Sequence, residues 1–134
     1  MEGELEFELT VDQKAILATV KKISKDLIIP RAAEIDKKGE YPHDIKEVFA
    51  HEGLLALPVP AEYDGLGASL TTLCLVIEEI AKADMSCAMI LATQCLGVFP
   101  MTIMATDDQK KKYFPPLATG EMMAAIAFSE PDAG

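Results

Sequence analysis

The sequence predicts an all-α domain: an up-and-down bundle of about five to six helices, followed by a segment that starts the first strand of a sheet. Three observations carry this expectation. Apolar residues recur at three- and four-residue spacing through most of the chain, which is the period of an amphipathic helix. Hydroxyl caps open these runs, and glycine or proline closes them. Only the stretch from Met122 to Phe128 lacks a helix cap and leads into Ser-Glu-Pro. With 134 residues, half of them apolar, the chain has enough material to close one hydrophobic core.

Thr10 and Gln13 form a capping-box pair at the first helix. Ile16, Val20, Ile23 and Leu27 follow at spacings of four, three and four, so they define one stripe opposite Lys14, Lys21, Lys22 and Lys25. Pro30 predicts a kink or break, because proline lacks the N–H that the helical ladder needs. A short segment then continues through Asp36 until Gly39 stops it. Pro42 opens a third helix with Ile45, Val48 and Phe49 facing inward, and Gly53 is its left-handed cap. From Leu57 to Ala68 the Pro- and Gly-rich run predicts a structured loop.

Ser69 caps a helix whose apolar face comprises Leu70, Leu73, Cys74, Ile77, Ile80 and Ala81, with Glu78, Glu79 and Lys82 on the wet side. Met85 to Met104 is apolar almost all round, which predicts the central helix, bent or divided near Gly97 and Pro100. Thr106 and Gln109 make a second capping box, with Asp107 and Asp108 leading and Lys110, Lys111 and Lys112 trailing, as the helix dipole favours. Pro115 and Pro116 are expected to end that helix. Residues 1–121 therefore form the helical domain, and 122–134 begin a β domain whose other strands lie after Gly134 or in another chain, since one strand cannot stabilise itself. The chain is expected to be cut rather than complete.

Charge narrows the function. Twelve basic against 22 acidic residues give a net charge of −10, which opposes binding to nucleic acid or anionic lipid. No apolar run is expected to reach the roughly 20 residues of a membrane span, and the acidic start is no signal or transit peptide. A cytoplasmic chain is expected, or one of the mitochondrial matrix in a eukaryote. Cys74, Cys87 and Cys95 have no paired spacing and are expected to be buried thiols. His43 and His51 are expected to be surface residues, with no metal site.

Four blocks in order give the chain a family resemblance: Gly53-Leu-Leu-Ala-Leu-Pro-Val-Pro-Ala-Glu-Tyr-Asp-Gly-Leu-Gly, Glu78-Glu-Ile-Ala-Lys-Ala-Asp, Asp108-Gln-Lys-Lys-Lys-Tyr-Phe-Pro-Pro-Leu-Ala-Thr-Gly-Glu and Ala127-Phe-Ser-Glu-Pro-Asp-Ala-Gly. Together they resemble the amino-terminal helical domain of the acyl-CoA dehydrogenases. The resemblance implies a parent enzyme that carries FAD, takes a proton and a hydride from the α and β carbons of an acyl-CoA thioester, and serves fatty-acid β-oxidation. It implies no catalytic base in this chain, because the family's base comes from the carboxy-terminal domain. Glu78 and Glu79 are accordingly read as a solvated or structural pair. This piece alone is expected to be inactive and not to retain FAD.

By the same resemblance Ser129 corresponds to the Thr or Ser of the family's Thr-Glu-Pro-Gly-Ala-Gly motif, with Ile126 and Phe128 beside it at the flavin edge. Gly134 lies near bound acyl-CoA, and Met89, Ala92, Leu96 and Phe99 are the inward residues lining the far end of the acyl pocket. From periodicity alone these four read as core packing. Asp132 replaces the usual glycine, in a turn that aspartate can tolerate. Leu54, Leu55, Leu66, Leu70 and Leu73 surround a hollow that in relatives receives electron-transferring flavoprotein. A homotetramer is implied for the parent. Two alternatives stand beside this reading: a stand-alone helical interaction module, and an acyl-CoA oxidase or monooxygenase on the same scaffold.

Overall fold

A computed structural model describes residues 8–133. Its helices are α1 (Val11–Ile23), α2 (Ala32–Lys38), α3 (His43–His51), α4 (Leu70–Ala81), α5 (Met85–Met104) and α6 (Asp107–Thr119). No strand forms among the described residues, so the domain is all-α. The predicted caps are present. Thr10 accepts from the Gln13 N–H at 3.2 Å while Gln13 accepts from the Thr10 N–H at 3.0 Å, and Thr106 and Gln109 reciprocate in the same way at 3.3 and 2.8 Å. Ser69 accepts from the Thr72 N–H. Such caps satisfy donors that have no partner within the helix.

The first helix departs from the prediction in an instructive way. The α geometry is interrupted around Pro30 as expected, but without loss of the coil, which widens into a π-helical turn over Ser24–Ile28, tightens into a 3₁₀ turn over Ile29–Arg31 and resumes as α2. The Ile29 N–H reaches back to the Ser24 carbonyl, five residues rather than four, so one extra residue is inserted into the apolar rhythm. Ile28 is therefore fully buried and Leu27 exposed, which corrects the expected stripe at its last position.

The helix α6 also outlasts its prediction: it runs through Pro115 and Pro116 to Thr119, where Gly120 closes it at φ 76°. The prolines remove bonds to the carbonyls of Lys111 and Lys112, two exposed residues whose carbonyls water can serve. Likewise α5 is one unbroken helix that accommodates Gly97 and Pro100. It is long and apolar enough, by length and composition, to cross a bilayer, which corrects the expectation that no such run exists. The charged interruptions fall outside it: Asp84 is its N-cap, accepting from the Cys87 N–H at 2.7 Å.

Two cores hold the bundle. The larger joins Val20, Ile28, Ile35, Ile45, Phe49, Leu55, Leu73, Ile80 and Leu91 from the first five helices, the π turn and the turn after α3, with α1 packed on α4 and α4 on α5. The Gln13 amide donates to the Thr72 hydroxyl at 3.0 Å, tying the start of α1 to α4. The smaller core sets Phe114, Leu117 and Ala118 of α6 against Val98 of α5 and Val59 of the loop. That loop is regular in its own way, since the N–H groups of Leu66, Gly67 and Ala68 donate to Ala56, Val59 and Leu57 at 2.8 Å.

Candidate functional site

The face of α5 turned away from the bundle is the first candidate surface. Met89, Ala92, Leu96 and Phe99 succeed one another at three, four and three residues, so they share one stripe. Met89 and Leu96 are 47% and 46% exposed, and Ala92 and Phe99 are half-buried. The expectation that these side chains point inward is corrected for Met89 and Leu96, which look out of the bundle, whereas Phe99 packs against the larger core. The reason lies in the composition of α5, which is apolar on both faces while only one, carrying Ile90, Leu91, Gln94 and Val98, is covered.

Beside Met89 a groove of about 830 Å³ opens between α5, the turn ahead of α3 and the chain leaving α6. Tyr41, His43, Lys46, Thr93 and Met123 line it, with the Tyr41 and His43 rings edge to face at 4.8 Å. Burial raises the Tyr41 hydroxyl pKa above its ordinary value. Sequence reasoning did not identify this groove; the Gly39 to Pro42 turn was its only signal.

The second surface is the tail. Met122 and Ala124 are anchored, their N–H groups donating to the Pro116 carbonyl at 2.9 Å and the Gln94 side chain at 2.8 Å. Beyond them the chain has no regular secondary structure, and the predicted strand over Met122–Phe128 does not form. From Ala125 to Ser129 the main-chain groups find no partner among the described residues, because a ladder needs a second strand. Ile126, Phe128 and Ser129 are all exposed, Phe128 at 80%. The turn that follows is closed by reciprocal bonds between Glu130 and Ala133 at 2.8 and 3.2 Å. Asp132 sits in it without positive φ, so no glycine is required there. Gly134 lies outside the described residues.

The third surface is the hollow between α1 and the segment entering α4, lined by Ile16, Leu57, Leu66 and Ala68. Of the five leucines predicted for it, Leu66 and Leu70 are 58% and 65% exposed, whereas Leu54, Leu55 and Leu73 are buried in the core. Those three belong to packing.

The remaining titratable groups divide clearly. Lys82 bridges exposed Glu78 at 3.0 Å and the more covered Glu79 at 3.2 Å, which suits the reading of a solvated or structural pair. His43 and His51 are exposed. Cys87 and Cys95 are buried thiols, raised to about 12 and about 11, in both cases chiefly by desolvation. Cys74 is exposed, contrary to the prediction, because α4 turns Thr72, Leu73, Val76 and Ile80 inward and that face leaves Cys74 outside.

The described residues thus form an all-α domain with an apolar stripe exposed on α5 and a tail without regular secondary structure. The sequence pattern described as "Acyl-CoA dehydrogenase, N-terminal domain" matches residues 10–121, and the chain belongs to the acyl-CoA dehydrogenase family. It is 38% identical to the cyclohex-1-ene-1-carbonyl-CoA dehydrogenase of Syntrophus aciditrophicus (strain SB), across 95% of this chain and 31% of that protein. The butyryl-CoA dehydrogenase of Megasphaera elsdenii superposes with a TM-score of 0.87 at 29% identity, over 97% of this chain and 35% of the other. An acyl-CoA dehydrogenase of Bacillus anthracis complexed with FAD gives 0.82 at 28% identity, over 95% and 22%. The chain spans about a third of the length of the curated relatives it matches.

Proposed function

We propose that this chain is the amino-terminal part of an FAD-dependent acyl-CoA dehydrogenase that introduces a double bond between the α and β carbons of an acyl-CoA thioester. The observation that carries the reading is the pairing of an exposed apolar stripe on α5 with a segment, Ala125 to Ser129, whose main chain has no partner among the described residues, in a chain of this family. Residues 122–134 begin the β domain of that enzyme. The tail suits a flavin: from Ala125 to Ser129 its main-chain donors and acceptors have no partner among the described residues, and Ser129 is exposed. When bound, FAD supplies the hydride acceptor.

The chain's own residues bind and orient. Ser129 and the adjacent main chain offer fixed donors to the flavin edge, where preorganised dipoles stabilise developing negative charge. Ile126 and Phe128 pack beside the ring and exclude water. Met89, Ala92, Leu96 and Phe99 wall the distal acyl pocket, and the small Ala92 beside the flexible Met89 leaves that wall permissive. Gly134 lies near the bound thioester. The base that removes the α proton comes from outside this chain. Electron-transferring flavoprotein is the electron acceptor, met at the hollow where Leu66 and Leu70 are exposed, and the parent is a homotetramer.

The test is a visible spectrum of the protein made from its complete reading frame, followed by anaerobic titration with acyl-CoA thioesters of graded length. A flavin band that bleaches with a preferred chain length is the expected result. Absence of flavin, or a flavin that no acyl-CoA reduces, overturns the reading. Rapid reoxidation by dioxygen would assign the scaffold to the oxidases instead.

A further inference from the structure

Gln94 is the one polar side chain of α5 that is wholly buried, and both ends of its amide are used. Its Nε2 donates to the Leu117 carbonyl, in the last turn of α6, at 2.8 Å. Its Oε1 accepts from the Ala124 N–H, also at 2.8 Å. One partner is an acceptor and the other a donor, so the amide's orientation is fixed by them. One turn further along the same face, Gly97 meets the same residue: a Cβ built there would lie 2.3 Å from the Ala124 Cβ. The tail thus rests directly on the α5 backbone at a point where any larger residue would push it away.

We propose that Gln94 and Gly97 form a latch that sets where the chain leaves the helical bundle, and that Gln94 is a positioning residue for the Ile126–Ser129 segment; this rests on the function proposed above. Among the described residues Ala124 is the last of the tail hydrogen-bonded to the bundle, and Ile126 and Ser129 follow it by two and five positions. The helix that carries the latch is the same one that carries Met89, Ala92 and Leu96. The acyl-facing stripe and the start of the flavin-facing segment therefore share one helix as their support, with Ala124 fixed on it by the Gln94 amide and by contact at Gly97. A buried amide satisfied at both ends suits that task, because losing it strands the Ala124 N–H and leaves the Leu117 carbonyl only the longer bond from the Gly120 N–H at 3.3 Å.

The experiment uses the protein from the complete reading frame and three variants: Gln94→Leu, Gly97→Ala, and Gly97→Ala combined with Ala124→Gly. Amide hydrogen exchange is read at Ala124 and, as an internal reference, at the core residue Leu91. The visible spectrum and the kcat and KM for an acyl-CoA are read on the same samples. Gln94→Leu is expected to speed exchange at Ala124 by about tenfold or more, as loss of its only partner requires, and to leave Leu91 unchanged. It should also move the flavin band and lower kcat by about tenfold, the order that a small misplacement of reacting groups costs, with little change in KM. Gly97→Ala should do the same, and the added Ala124→Gly should restore both readouts by removing the clash.

The latch is refuted if Ala124 stays protected in Gln94→Leu, if Ala124 and Leu91 loosen together, or if the flavin band and kcat stay at wild-type values while Ala124 loosens. A wild-type protein without reducible flavin refutes the functional reading instead, and the exchange data then decide whether the anchor itself exists.

Discussion

Phe114 and Phe128 stand fourteen residues apart, and the structure assigns them opposite fates, which makes them a sharp pair to perturb. Phe114 is fully buried and Phe128 is 80% exposed. Truncating Phe114 to alanine removes the centre of the smaller core, between Val59, Val98 and Leu117, and its edge-to-face contact with Tyr63 at 5.2 Å. Burial loss and cavity together cost about 3–5 kcal/mol for such a change, and the aromatic pair contributes about 1 kcal/mol of that. A domain of this size holds roughly 5–15 kcal/mol in total, so Phe114→Ala should lower Tm by roughly 10–20 °C. Phe128→Ala should change stability by less than about 0.5 kcal/mol, since an exposed side chain has little burial to lose. Urea unfolding of the 134-residue chain, followed by far-ultraviolet circular dichroism, measures both. Near-equal costs for the two variants, or a Phe114→Ala cost below about 1 kcal/mol, would refute the division into a finished core and a face awaiting cover.

Two further expectations follow from the titratable groups. Only the thiolate is nucleophilic, and Cys87 and Cys95 are buried with thiols raised to about 12 and about 11, so a maleimide or iodoacetamide at neutral pH should label exposed Cys74 alone in the native chain; mass spectrometry showing fast labelling of all three would contradict the burial. The Asp44 carboxylate is lowered, first by its hydrogen bond from Arg31, so its contribution is present above the ordinary value of 3.8 and is lost as pH falls through the lower folded value. The Tm difference between wild type and Asp44→Asn, small for so exposed a pair, should therefore shrink on acidification; a difference that grew would reverse the assignment.

Much of the fold was legible because it is signalled by local chemistry. Hydroxyl caps at Thr10, Ser69 and Thr106 and glycine stops at Gly39 and Gly53 act within a few residues of themselves, so their meaning survives without tertiary context. What escaped depends on partners far along the chain. Whether α6 stops at Pro115 is decided by which carbonyls lose a bond and whether water reaches them. Whether Met89 faces in or out is decided by what covers α5, which periodicity cannot report for a helix apolar all round. Gln94 read as an interruption; its partners Leu117 and Ala124 lie 23 and 30 residues away, and no local pattern announces them. Of the candidate site, the residue identities came from the family's motifs, whereas their placement on uncovered surfaces came from the structure.

The widened turn at Ser24–Ile28 has a consequence for how this helix tolerates length changes. Each residue advances an α-helix by about 100°, and the extra residue held in that turn shifts everything after it by one such step. Deleting one residue between Ser24 and Ile28 would let the coil close to regular α geometry with no break in the chain. The phase of the downstream helix would be preserved. Residues up to Ile23 would keep their seats against α4, while the stretch through Pro30 and on to α2 would keep the face it now presents. An insertion of one residue at the same place has no such slack to use and would swing Ile35 out of the core. This stretch of helix should therefore accept loss of a residue far more readily than gain.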